Sequence, residues 1–205
     1  MNSPNGQPSR LEAVTMGVVA TGAVSIAIAA IVGAIGAGIA IFGSPVAVSL
    51  PVHDVPMSSM ADAAGVSSAE YTESVVSVEN LDAGARWLLF AEAALPALAT
   101  VIVCGALWWL GLSLIKQKGF RRSMASVLGT AAVALVAAGM IGPLLGGLAR
   151  AEVVEQLSMG ADTSQFWEFL VSADLAPIGW GIALALVATA FEVGQRLQRE
   201  TEGLV

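Results

Sequence analysis

Two residue types that bind soft metals lie close together in one polar segment. His53, Met57 and Met60 follow one another at spacings of four and three residues. Imidazole nitrogen and thioether sulfur suit Cu(I), and on a helix this spacing would place all three side chains on one face. In an irregular loop the methionines would instead pack against apolar surface. The loop is the commoner arrangement, so we predict no metal and no cofactor, with these three residues as the candidate ligands otherwise.

One carboxylate, Glu92, lies inside a long apolar run. At a rise of 1.5 Å per residue it would lie about 9 Å from the start of a helix there. A carboxylate at such a position is a candidate proton or ion site. Alternatively it pairs with Arg86, with Arg150 or with a backbone amide. The apolar runs hold few other polar groups and no obvious relay, which argues against a channel or transporter.

The chain offers no arrangement of residues typical of catalysis. Its single histidine lies outside the apolar runs, no nucleophile stands beside a base, and no glycine-rich phosphate loop follows a strand. The single cysteine, Cys104, lies within an apolar run and is expected to be a buried thiol. We therefore predict that the protein is not an enzyme and has no catalytic residues.

Composition indicates an all-α integral membrane protein. Of the 205 residues 56% are hydrophobic and 12% are charged, and the mean hydropathy is +0.78. About 20 apolar residues span a bilayer as a helix. The predicted transmembrane helices cover about 14–42, 85–115, 124–149 and 175–194. The first run is too long for a signal-peptide core, so we expect it to remain as an uncleaved helix.

Two polar segments, 43–84 and 149–174, separate these helices. Within the first, 45–52 and 71–78 are β-branched and alternate in polarity, which predicts a small antiparallel β-ribbon outside the membrane.

In the second polar segment, residues 163–170 (TSQFWEFL) read as a short capped surface helix. Its Phe166, Trp167 and Phe169 would lie on the membrane surface or on a partner protein.

The distribution of charge predicts the orientation in the membrane. A short turn between the second and third runs contains Lys116, Lys118, Arg121 and Arg122, whereas the two polar segments together hold eleven acidic residues and one arginine, Arg150, with Arg86 at the start of the second run. Positive charge favours the cytoplasmic side. The tails 1–13 and 195–205, the latter helical, are therefore predicted to be cytoplasmic. The basic turn would anchor this topology and contact anionic lipid headgroups.

Three segments resemble a known family. They are KQKGFRRSMASVLGTAAVAL, which contains the basic turn, the C-terminal FEVGQRLQRETEGLV, and ENLDAGARWLLFAEAALPA at the start of the second run. Together they resemble the bacterial four-span family catalogued as domain of unknown function number 2975, over roughly residues 45–205. Ser123 and Ser126 depart from its pattern, which usually has further basic residues there. The resemblance implies an inner-membrane protein, often encoded beside a small helix-turn-helix regulator, with no established activity.

These observations predict a non-catalytic accessory subunit of a larger membrane-protein complex in the bacterial plasma membrane. The Ala/Gly/Val-rich composition fits an actinobacterium, and the most concrete expectation is a subunit of a respiratory cytochrome bc–oxidase supercomplex. The expected partners are membrane lipids and that complex, with no direct contact to nucleic acid. The alternatives are a membrane-embedded sensor that partners a helix-turn-helix transcription factor, and a small transporter-like protein that works through Glu92.

Overall fold

The computed structural model describes residues 10–57, 65, 67–115, 122–160 and 162–202. This part of the chain contains four helices and two strands. The helices are α1 (Arg10–Phe42), α2 (Ala83–Ile115), α3 (Arg122–Ser158) and α4 (Ala176–Glu202), and the strands are β1 (Val46–Pro56) and β2 (Glu70–Val78).

All four helices are long and apolar enough to cross a membrane. Within the described residues the apolar stretches are Gly17–Phe42, Ala83–Leu112, Met124–Ser158 and Ala176–Gly194. The four predicted helices are therefore confirmed. The last helix continues beyond the apolar stretch to Glu202, which confirms the expected helical tail as far as that residue.

The two strands pair antiparallel, which confirms the predicted ribbon. Val46 pairs with Val78 and Leu50 with Ser74. The register shifts between Pro51 and Val55, where β1 has more residues than β2. Beside this irregularity β1 gains a second neighbour, because Val52 pairs with Phe166 in an antiparallel bridge. The result is a small three-stranded antiparallel sheet with β1 in the centre.

The predicted surface helix over 163–170 is wrong. The amide of Phe166 donates to the carbonyl oxygen of Thr163 in a tight turn, at 2.9 Å. The amide of His53 then donates to the Gln165 carbonyl oxygen, and the amide of Trp167 to that of Pro51. The aromatic spacing fits a helix, but the open edge of β1 supplies backbone partners that a sequence pattern cannot reveal.

The chain divides into two compact units. The sheet unit comprises Ile35–Ala94 and Ile141–Ala173, and the helix unit comprises the described parts of Met1–Ala34, Leu95–Met140 and Asp174–Val205. In the core of the sheet unit, apolar side chains of β1 pack against residues of β2, of the start of α2 and of the second half of α3. Its most deeply buried members are Val46, Val48, Leu50, Ala85 and Val153.

In the helix unit, α3 and α4 approach closely at two glycines. A Cβ atom on Gly181 would lie 2.9 Å from the Ala132 carbonyl oxygen, and one on Gly139 would lie 2.9 Å from Cγ1 of Ile178. Small residues let apolar helices pack backbone to backbone. Cys104 is a buried free thiol, as the sequence predicted.

Candidate functional site

Glu92 on α2 forms an ion pair with Arg150 on α3. Arg150 Nη2 lies 2.9 Å from Glu92 Oε1, and the two side chains are 26% and 27% exposed. The Arg150 Nε also donates to the Ser49 carbonyl oxygen on β1, at 3.3 Å. Of the partners that the sequence allowed for Glu92, the structure places Arg150 beside it. One arginine thus links two helices and the sheet.

A glycine on α3 makes room for this carboxylate. A Cβ atom on Gly146 would overlap the carboxyl group of Glu92, whereas one on Gly142 would lie 3.8 Å from the Glu92 carbonyl oxygen, an ordinary contact. Gly142, Gly146 and Arg150 are spaced by four residues and therefore share one face of α3. This small–small–arginine pattern is the sequence signal that would have selected Arg150 as the partner.

The other arginine of the sheet unit caps a helix. Arg86 Nη1 donates to the carbonyl oxygens of Ile41 and Gly43, at 2.9 and 2.7 Å, and its Nε donates to the Leu81 carbonyl oxygen. The last carbonyl groups of a helix lack partners within the helix, and a cation there also interacts favourably with the helix dipole. Arg86 therefore joins the end of α1 to the start of α2.

Three aromatic rings surround this junction. Phe42, Trp87 and Phe90 make edge contacts with ring centroids 4.9 to 6.0 Å apart. The Phe90 ring lies against Gly38, where a Cβ atom would lie 3.2 Å from it.

The start of α2 is held by the preceding Asp82 and by one side chain from the end of α3. Asp82 caps α2 by accepting from the Gly84 amide at 2.9 Å. Gln156 accepts from the Asp82 amide and donates to the Asn80 carbonyl oxygen, at 3.2 and 2.6 Å. Sequence analysis did not single out Gln156, because nothing local marks a side chain that bridges segments 74 residues apart.

The helical alternative that would have grouped the three candidate metal ligands does not hold for His53 and Met57. His53 lies in the extended strand β1, and the Met57 amide, just after this strand, donates to the Ala69 carbonyl oxygen at 2.8 Å. Residues four apart in a strand are separated by roughly 13 Å. His53 and Met57 therefore do not share the compact face that a helix would give them, and Met60 lies outside the described residues.

The three aromatic residues predicted to contact a partner have two different environments. Phe166 is buried in the sheet core, whereas Trp167 and Phe169 are 46% and 51% exposed. The Trp167 ring lies 4.9 Å from the ring of His53. The structure thus brings together a histidine and an aromatic segment that the sequence separates by more than a hundred residues.

These residues line a cavity of about 860 Å³ within the sheet unit. The cavity also has two carboxylate residues, Glu155 and Glu168, which sequence analysis did not select. Besides these carboxylates and the four aromatic-ring residues His53, Phe166, Trp167 and Phe169, the lining consists of Ala151, Val154, Ser158, Thr163 and Ser164.

A turn at one edge of the cavity is set by Asp162. Its Oδ1 accepts from the Ser164 amide at 3.0 Å. Hydrogen bonds from the backbone and side chain of Ser164 lower the pKa of the Asp162 carboxyl group, because they favour its charged form.

The basic turn lies almost wholly beyond the described residues. Lys116, Lys118 and Arg121 fall outside them, and Arg122 is the first residue of α3.

Comparison with known proteins adds no relative. No family model, no curated protein and no solved structure matches this chain. The resemblance to the four-span family stays a prediction.

Proposed function

We propose that the protein is a non-catalytic accessory subunit of a larger membrane-protein complex. The observation that carries the proposal is apolar surface exposed in the polar segments of the chain. Val75 and Tyr71 on β2 are 70% and 46% exposed, and Met159 after α3 is 83% exposed. Tyr71 and Val75 are four residues apart in β2 and therefore lie on the same face of the strand. Neighbouring exposed apolar side chains of this kind, outside the long apolar helices, are typical of a surface that a partner protein covers.

The ion pair of Glu92 supports a structural role for that residue. Its carboxylate is already bound by Arg150 and packed against Gly146. A carboxylate that moves protons or ions through a membrane has to exchange partners. Arg150 binds Glu92 and also donates to the sheet. The ion pair therefore favours a role for Glu92 in positioning α2 and α3.

For the orientation we propose that both termini and the basic turn face the cytoplasm, in a bacterial plasma membrane. The sheet unit contains eleven acidic residues and two arginines, whereas seven of the nine basic residues lie elsewhere. This asymmetry follows the positive-inside rule. Single cysteines at Glu79 and at Glu200, placed in a Cys104→Ala background, should react with an impermeant maleimide only from the outer and the inner side, respectively.

The most concrete partner is an actinobacterial respiratory cytochrome bc–oxidase supercomplex. The support is compositional, from the Ala/Gly/Val-rich sequence. Affinity-tagged protein, extracted in mild detergent from its native membrane, should co-purify with that complex in fixed stoichiometry by mass spectrometry. The same sample should show reduced-minus-oxidised haem bands of b- and c-type cytochromes.

A matched pair of variants tests the surface as well as the partner. Val75→Asp should reduce co-purification. Thr72→Asp introduces the same charged residue on the same strand and should leave co-purification intact. Isolation as a monomer would overturn the proposal. Co-purification with a helix-turn-helix protein would favour a regulator, and ion flux in liposomes that disappears in Glu92→Gln would favour a transporter.

A further inference from the structure

The cavity in the sheet unit has the size and lining of a ligand site. Its volume is about 860 Å³. Small-molecule sites usually enclose roughly 300–1,000 Å³ and combine aromatic walls with a few polar groups. We propose that this cavity binds a small organic cation with an alkylammonium group on an apolar stem. This inference is independent of the accessory-subunit proposal.

Charge selects a cation. Glu155 and Glu168 line the cavity, and none of the lining residues in the described part of the chain is a lysine or an arginine. The two arginines of the sheet unit are committed elsewhere, Arg86 to backbone carbonyls and Arg150 to Glu92. A concave site lined by one sign of charge concentrates ions of the opposite sign and repels anions.

Aromatic rings select an organic cation over a hydrated metal ion. Trp167 and Phe169 both line the cavity and are about half exposed. Tryptophan gives the strongest attraction to a cation over its ring face. Burial of a ligand's apolar stem on these rings adds a favourable hydrophobic contribution.

His53 also lines the cavity, and its ring contacts that of Trp167 with ring centroids 4.9 Å apart. Its Nδ1 is buried and has no hydrogen-bond partner among the described residues. A ligand in the cavity does not reach a buried atom, so the selection of a cation depends on the two carboxylates and the aromatic rings.

Calorimetric titration of the full chain in an uncharged detergent tests the proposal. The probes are n-butylammonium chloride and the neutral n-butanol, at physiological ionic strength. We expect n-butylammonium to bind at least about tenfold more tightly than n-butanol, because the neutral probe lacks both the cation–π and the charge attraction. Equal binding of the two probes, or no binding of n-butylammonium, would overturn the proposal.

Matched variants locate the site. The double change Glu155→Gln with Glu168→Gln should weaken n-butylammonium binding by about tenfold, since it removes both negative charges from the lining of the cavity. Glu79→Gln removes an exposed carboxylate of the same unit that does not line the cavity, and it should change the affinity less than twofold. Equal losses in both would show diffuse attraction and contradict a site.

If circular dichroism shows that the double variant does not fold, a second pair of variants tests the site instead. Trp167→Leu should abolish the preference for n-butylammonium over n-butanol. Trp87→Leu replaces a tryptophan that is 61% exposed but lies outside the cavity, and it should retain that preference. A preference that survives Trp167→Leu contradicts the proposed aromatic contact.

Discussion

The sheet unit and the helix unit use polar groups in opposite ways. In the sheet unit the side chains of Arg86, Arg150 and Gln156 bond groups that are up to 101 residues distant in sequence. In the helix unit five described threonine and serine hydroxyls donate to the carbonyl oxygen four residues earlier in their own helix. Examples are Thr21 to Gly17, Thr130 to Ser126 and Thr189 to Ala185.

Charge divides in the same way. By sequence the sheet unit has eleven acidic residues and two arginines, a formal net charge of −9, whereas the rest of the chain has five acidic and seven basic residues, a net charge of +2. Directional bonds between distant segments specify one arrangement of the sheet unit. In the helix unit the close contacts of α3 with α4 occur at glycines and depend on the fit of the two helix surfaces.

The largest effect is expected at the ion pair. Arg150→Met leaves Glu92 uncompensated between apolar helices and should lower the free energy of unfolding by about 3 kcal/mol. The measurement is denaturant unfolding in detergent followed by circular dichroism. Addition of Glu92→Leu should restore part of the loss, and a loss below about 1 kcal/mol in Arg150→Met would show that the pair is not structurally important.

In the helix unit the largest effect is expected at Gly181. Gly181→Ala places a methyl group 2.9 Å from the Ala132 carbonyl oxygen, so α3 and α4 have to separate. Overpacking of this kind costs about 2 kcal/mol. Gly179→Ala is the control, because nothing lies within 4 Å of its added Cβ. It should be neutral or stabilising by up to about 1 kcal/mol, as expected for alanine in a helix.

Gly146→Ala should have a smaller effect that depends on Glu92. The added methyl group displaces the Glu92 carboxylate, which is the end of a flexible side chain, and should cost about 1 kcal/mol. Gly142→Ala, one turn earlier, should not destabilise. In a Glu92→Ala background Gly146→Ala should become neutral or stabilising, and persistence of the loss there would show that the carboxylate is not what occupies the space.

The smallest effect concerns Asp162 and pH. Its pKa is lowered in the folded protein, so it stabilises the fold above its unfolded pKa, and this contribution disappears as the pH falls through the lower folded value. Asp162→Asn keeps an oxygen acceptor for the Ser164 amide but cannot titrate. On acidification from about pH 5 to about pH 3, the melting temperature of this variant should therefore fall less than that of the parent protein.

Sequence patterns predicted the elements well where each element depends on its own residues. The four apolar runs became the four long helices, and alternation in 45–52 and 71–78 became the β-ribbon. The predicted helix over 163–170 did not form, although its aromatic residues have the spacing of a helix. The backbone groups of this segment form hydrogen bonds with β1 instead. A local pattern contains no information on an open strand edge more than a hundred residues away.

The sequence by itself determined the number of long apolar helices and the asymmetry of charge, because hydropathy and net charge are sums over neighbouring residues. Only the tertiary structure decided that Glu92 pairs with Arg150 while Arg86 caps α1, and that His53 meets Trp167 beside a cavity with two carboxylates. Those outcomes depend on distances between segments that are remote in the chain, and the choice among equally charged or equally aromatic candidates is made by packing.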